Sequence, residues 1–296
     1  MQDSSFSLAD SLMISDQICD LWPAHERSGE PYDNFAAKEA ALVDQYRQVW
    51  ESALTTAEGG DLNRSLLLEL SEIEKIDDLQ QVEALCRNAV LQLKETWLEE
   101  VNTNQPETVT AFYDRSRAYI FELMWWHNLS EDLSPLAYVS ALHLALRNQK
   151  KRFLDFGAGV GSGALLFSKH GFEITLADIS ESLLTFSANR LEARGIRAQY
   201  IDLKEKPLPP ASYDFIAAMD VFEHIADPAP TVARLSEALE SGGILFGRFN
   251  SEEDPDRPQH IAGDFQATFE LLESQGFQEI WRDRWLWGHQ AFQKPS

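Results

Sequence analysis

Apolar residues in the first half of the chain return every three or four positions. Ala36, Ala40, Val43, Tyr46, Trp50 and Leu54 make one such row, and Leu79, Val82, Cys86, Val90, Leu93, Trp97 and Val101 make a longer one. This period lines side chains along one helix face, so both segments are predicted amphipathic helices. A shorter helix opens at Asp61-Leu62, after the break at Gly59-Gly60, and runs through Leu70; another spans about Glu107 to His127. Ser134-Pro135 starts the last one, with serine as N-cap and proline at the first helical position. Residues 1–148 read as an all-helical N-terminal domain of five or six helices.

After Lys151 the period shortens. Strand-like runs alternate with amphipathic stretches: FLDF (153–156), FEITLAD (172–178), AQYID (198–202), YDFIAAMD (213–220) and GGILFGRF (242–249). Such alternation builds βαβ units and a parallel sheet. Gly195 and Gly276 stand where helices end in a left-handed residue. The runs FQEIWRDR (277–284) and LWGHQAFQK (286–294) are joined by too few residues for a crossover, so they pair antiparallel at the sheet edge. The expected fold class is α/β: a doubly wound, mostly parallel seven-stranded sheet with an antiparallel terminal strand in residues 149–296, preceded by the helical domain.

Charge and composition narrow the partners. The 296 residues carry a formal net charge of −23. Residues 1–148 hold 10 basic and 26 acidic side chains, and the remainder 15 and 22. Nucleic acid and anionic membranes need clustered Lys and Arg, so neither is an expected partner. No run approaches the roughly 18 apolar residues of a membrane span. The N-terminal residues MQDSSFSLADSLMISDQICDL lack the basic and apolar regions of a signal peptide. Cys19 and Cys86 give neither a metal spacing nor a disulfide framework, and no metal ligands are expected. A cytoplasmic protein fits these features.

The chemistry concentrates after the first strand. Asp155-Phe156 runs into Gly157-Ala158-Gly159-Val160-Gly161, with Gly163 beyond. Glycines here permit a tight turn and bring bare backbone and a helix N-terminus to a nucleotide-like ligand. The dinucleotide fingerprint counted from Gly157 needs glycine at 162, where Ser162 stands; counted from Gly159 it survives only with Ala164 in its last place.

Asp155, Gly157, Gly159 and Gly161 instead resemble the first motif of class I S-adenosylmethionine-dependent methyltransferases, of the small-molecule type with a methyltransferase-11/12-like domain. The downstream order is similar too. Asp178 closes the second strand, Asp202 follows the third, and Asp220, Glu223 and His224 sit in the MDVFEHIADP segment after the fourth. The resemblance covers about residues 150–296. It implies S-adenosyl-L-methionine as cofactor, the methionine amino group facing Asp155, the ribose hydroxyls on Asp178, and the adenine beside Asp202 and Leu203. Gly157, Ala158, Gly159, Gly161, Ile179, Asp220 and Val221 complete the implied cofactor contacts. A carboxylate's two acceptor oxygens suit a vicinal diol.

Three residues are candidates for work on the acceptor. His224 has a neutral-range pKa suited to a base, but the Glu-His pair recurs in the family across different acceptors and can equally be structural. His260, in RPQHIAGDF, lies after the fifth strand on the side where acceptors enter. Tyr113 shares a helical stripe with Arg117, Ile120 and Met124; such stripes usually pack in cores, and Tyr113 is the ring expected to line the acceptor pocket. Trp285 and Trp287 read as packing. The expected reaction is methyl transfer to an oxygen or nitrogen of a small-molecule metabolite or natural-product intermediate, with the helical domain as lid and pocket wall and a homodimer through that domain as a further partner. Alternatives from the same residues are a catalytically silent S-adenosylmethionine-binding interaction protein and a nicotinamide-dependent oxidoreductase.

Overall fold

The computed structural model describes residues 8–251, 254–285 and 288–296. Among the described residues seven α-helices precede the first strand, where five or six were expected: α1 (Ile14–Ser28), α2 (Tyr32–Leu54), α3 (Leu62–Glu74), α4 (Leu79–Glu100), α5 (Pro106–Arg115), α6 (Ala118–Trp126) and α7 (Ala137–Arg147). In α2 the predicted stripe is the buried one, with Val43, Tyr46, Trp50 and Leu54 inside. In α4 the buried row is Val82, Cys86, Ala89, Leu93 and Trp97, so Ala89 takes the inward place and Val90 is half-buried. Asp61 caps α3 by accepting from the Arg64 N–H at 2.8 Å, and Asp78 caps α4 through Gln80 at 2.9 Å.

Two local expectations change. The single helix over 107–127 is broken at Ser116, whose backbone (φ −73°, ψ 85°) is not helical. The break separates Tyr113 from Ile120 and Met124, which the unbroken stripe had joined. Helix α6 (AYIFELMWW) is apolar nearly all round and lies in the core, the usual place for such a helix. Ser134 does not cap α7: Ser134–Leu136 is a 3-10 turn, and the Asp132 carboxylate accepts from the Ser134 N–H at 2.7 Å.

The strands are β1 (Arg152–Phe156), β2 (Glu173–Asp178), β3 (Gln199–Asp202), β4 (Tyr213–Ala218), β5 (Leu239–Gly247), β6 (Gln278–Arg282) and β7 (Gln290–Gln293), in the order β3-β2-β1-β4-β5-β7-β6. The first five pair parallel. β7 runs antiparallel between β5 and β6, so β6 forms the outer edge. Helices α8 (Ser162–Lys169), α9 (Glu181–Ala193), α10 (Ala229–Ala238) and α11 (Gln266–Ser274) complete the layers. Leu286 and Trp287 of the last predicted strand lie outside the described residues, and among its described ones only Gln290–Gln293 form β7.

Successive β1 side chains face opposite layers. Phe153 joins a core with Trp50, Leu142, Phe167, Leu176 and Phe215, while Leu154 joins Ile216, Val232, Leu235 and Leu272 on the other face. The first cluster is continuous from α2 through α7 and α8 to the sheet, so the N-terminal helices are fixed against the sheet's helical layer. No helix of the described residues is long and apolar enough to cross a membrane.

Candidate active site

The strand order reverses between β1 and β4, and a crevice opens at the carboxyl ends of these strands. The glycine loop forms its floor. Gly157, Gly159 and Gly161 have φ of 67°, 52° and 73°, and the Gly157 and Ala158 N–H groups both donate to the Ala177 carbonyl of β2. A β-carbon on Gly157 would stand 2.5 Å from Val221 Cγ2, and one on Gly159 2.7 Å from Leu123 Cδ1. The space left by these glycines thus receives two side chains that also line the crevice.

Asp178 is buried and organises the loop. One carboxylate oxygen accepts from the Gly159 N–H at 3.0 Å and the other from the Ser180 N–H at 2.9 Å. Ser180 Oγ caps α9 through Leu183, so the carboxylate is spared that duty. Asp202 accepts from the Lys204 N–H at 2.9 Å and shapes the turn after β3. Asp155 is 1% exposed, and among the described residues no side chain pairs with its oxygens, which face only the Ala164 main chain. Burial pushes its carboxyl up to about 8.

The crevice continues into a cavity of about 1120 Å³ that borders both halves of the chain. Gly157, Ala158, Asp178, Ile179, Leu203, Asp220 and Val221 line it, and so do Tyr113, His224 and His260. Asp155, Gly159, Gly161 and Asp202 stand outside its lining. Predicted cofactor-side and acceptor-side residues therefore meet in one chamber, although 111 positions separate Tyr113 from His224.

The polar wall is dense. The Tyr113 hydroxyl lies 3.0 Å from His224 Nδ1 and donates to the Gln259 carbonyl at 3.4 Å. The His224 and His260 rings are 5.0 Å apart. Glu223, His224 and His260 each offer a ligating atom within 4.8 Å of the others, a grouping that no sequence spacing announces. Burial draws the His224 pKa down to about 3, and burial with the Arg257 and Arg248 charges lowers that of His260. Burial, helped by Asp220, raises that of Glu223. Burial also raises the Tyr113 phenol, which stays a donor.

Sequence reasoning missed several members of this wall. Arg248, directly after β5, reaches Asp220 at 3.2 Å and Glu223 at 3.7 Å. Arg257 pairs with the buried Glu122 of α6 at 2.9 Å. Asp220 has φ 47°, a left-handed backbone rare for a residue with a side chain and a common accompaniment of functional sites. The positions were available in GGILFGRF and RPQHIAGDF, but only the fold shows what each arginine faces.

A seven-strand open sheet with a reversed last strand, a glycine loop after β1 and a cavity at the switch point defines a ligand-binding doubly wound α/β protein. The more specific assignment comes from comparison: residues 125–293 match the family model described as a methyltransferase domain, and the chain belongs to that family. It is also similar to a ubiquinone biosynthesis O-methyltransferase of Coxiella burnetii (29% identical over 129 residues, 41% of this chain and 55% of the relative). One from Paracidovorax citrulli is 30% identical over 131 residues, with the same coverage. The chain spans about half the length of the curated relatives it matches. Among solved structures it is similar to the Haemonchus contortus phosphoethanolamine N-methyltransferase 2 bound to S-adenosyl-L-methionine (18% identical, 53% of each chain, TM-score 0.43).

Proposed function

We propose that this protein transfers a methyl group from S-adenosylmethionine to an oxygen or nitrogen of a small molecule. The observation that carries the reading is the single cavity joining the glycine loop and Asp178 to Tyr113, His224 and His260. The residues fit such a ligand. Asp178 lines the cavity and keeps free acceptor capacity on oxygens that each receive one backbone N–H.

S-adenosylmethionine supplies a methyl group already activated by a positive sulfonium. The protein's own work is then to align the acceptor, exclude water and take a proton. The N-terminal helices supply the pocket's roof through Tyr113, Tyr119 and Glu122. His260 is the base of this proposal. It is half-buried, borders the cavity, and its lowered pKa keeps it neutral and able to accept a proton at pH 7. Tyr113 orients the acceptor beside His224. The names of the relatives favour an oxygen acceptor.

Incubation with methyl-labelled S-adenosylmethionine and fractionated small-molecule extracts tests the reading. Label should appear in one small molecule. A correctly folded protein that binds neither S-adenosylmethionine nor S-adenosylhomocysteine sinks it.

A further inference from the structure

Among the described residues the His260 ring makes no hydrogen bond, and its one ring contact is with His224, edge-on at 5.0 Å. Where the ring stands is therefore decided by the main chain that carries it. That main chain belongs to the segment 254–262, which follows β5 and is tied to both halves of the chain. On its C-terminal side the Ile261 and Ala262 N–H groups both donate to the Glu223 carbonyl, at 2.8 and 3.0 Å. On its N-terminal side the His260 N–H donates to the Arg257 carbonyl at 3.0 Å and closes a turn over 257–260.

Three side chains of the helical half hold this turn. Lys94 of α4 reaches Asp256 at 2.8 Å, the Tyr113 hydroxyl of α5 reaches the Gln259 carbonyl at 3.4 Å, and Glu122 of α6 accepts from Arg257 Nη1 at 2.9 Å. They are not equal. The Asp256 side chain is 76% exposed, and an ion pair so open to water contributes little. At 3.4 Å the Tyr113 contact is long for a hydrogen bond. The Glu122 side chain is 5% exposed and that of Arg257 34%, so this pair is largely withdrawn from water, and losing one member strands the other. Asp254, the other carboxylate near Arg257, stands 4.0 Å away on the same segment and cannot tie it to the helices. Glu122 is also the sole charged residue of α6 (AYIFELMWW). A carboxylate buried in such a helix is costly unless it is paired.

We propose that Glu122 is a positioning residue for methyl transfer: by holding Arg257 it fixes the turn that presents His260 to the chamber. The inference rests on the reading of His260 as base and adds the residue of the N-terminal half that places it. Glu122 acts through Arg257 and the main chain and takes no proton from the acceptor.

Rates are measured with methyl-labelled S-adenosylmethionine and the extract fraction that accepts the label. Glu122→Met, which roughly keeps the volume and removes the charge, should slow transfer about ten- to a hundredfold while S-adenosylhomocysteine binds as in wild type. Arg257→Met should do the same. In a His260→Gln background Glu122→Met should add nothing, because the group it places is gone. An unchanged rate, a loss that carries over in full into that background, or a matching loss of S-adenosylhomocysteine affinity overturns the proposal and leaves the methyl-transfer reading intact. A His260→Gln protein as fast as wild type instead removes the base reading, and the proposal falls with it. If the wild-type protein transfers no label, the placement itself is decided by NMR of the histidine rings. The His260 ring signals should shift and broaden in Glu122→Met and Arg257→Met, with those of the buried His143 unmoved. Signals of His260 identical to wild type, or all rings moving together, overturn it. Where Glu122→Met does not fold, Arg257→Met, whose side chain is one-third exposed, carries both measurements.

Discussion

Glu69 Oε2 lies 3.0 Å from Nη2 of Arg190, an arginine with no exposed side-chain surface. The same guanidinium donates to the Val160 carbonyl inside the glycine loop and to Ser162 Oγ. A carboxylate on α3 thus holds a loop on the far side of the helical layer. Removing one member of a buried pair strands the other charge at a cost of about 3–5 kcal/mol. Glu69→Ala should lower unfolding free energy by that order in urea titrations, and Glu69→Ala with Arg190→Met should recover part of it. A Glu69→Ala protein as stable as wild type contradicts the coupling.

Asp178 bridges the loop N–H of Gly159 and the N–H of Ser180. Asp178→Ala should weaken S-adenosylhomocysteine by about 1–3 kcal/mol through lost charged hydrogen bonds. Amide exchange at Gly159 should quicken in the same variant. Unaltered affinity in a folded variant counts against a ribose role.

The lowered pKa of His260 fixes the shape of a pH profile. As a base it works only when neutral, so kcat should be level at neutral pH and fall along an acidic limb below the ordinary pKa of about 6.5. His260→Gln should lose about a hundredfold or more in kcat and lose that limb. A retained limb in the variant assigns the titration to another group.

His127 and His224, both drawn down to about 3, make stability itself pH-dependent. The unfolded chain takes up these protons near pH 6.5, whereas the native state refuses them until about 3. Their contribution is complete above 6.5 and is lost as pH falls, by up to about 1.4 kcal/mol per pH unit for each ring. Urea midpoints measured between pH 7 and pH 4.5 should decline; a flat series would show that the rings accept protons in place.

Asp155 pulls the other way. Its native carboxyl keeps its proton up to about 8, while the unfolded one releases it near 4, so its contribution erodes as pH rises between those values. Asp155→Asn should therefore be more stable than wild type at pH 7.5, by about 1–3 kcal/mol, yet bind S-adenosylhomocysteine less well. Thermal unfolding and titration of the two proteins side by side check both halves.

Much of the sheet was readable from the sequence because β-rich runs and glycine turns are local signals. FLDF, FEITLAD and YDFIAAMD became β1, β2 and β4 to within a residue or two, and Gly157, Gly159 and Gly161 took the left-handed backbone their type permits. The break at Ser116 was not readable, since Tyr113, Ile120 and Met124 keep a helical spacing across it and only tertiary contacts divide them. Nor were the charged members of the interior. Arg190 and Glu122 look like solvated helix positions until Glu69, from another helix, and Arg257, from a loop after β5, arrive to pair with them.

Leu123 stands where a side chain on Gly159 would be, and its neighbour Glu122 holds Arg257 from the loop after β5. Helix α6 thus meets the cavity lining through two consecutive residues, one packed over the glycine loop and one anchoring a charge from the sheet's far half. The outline of the chamber is therefore written partly in a helix that precedes the whole sheet in the chain.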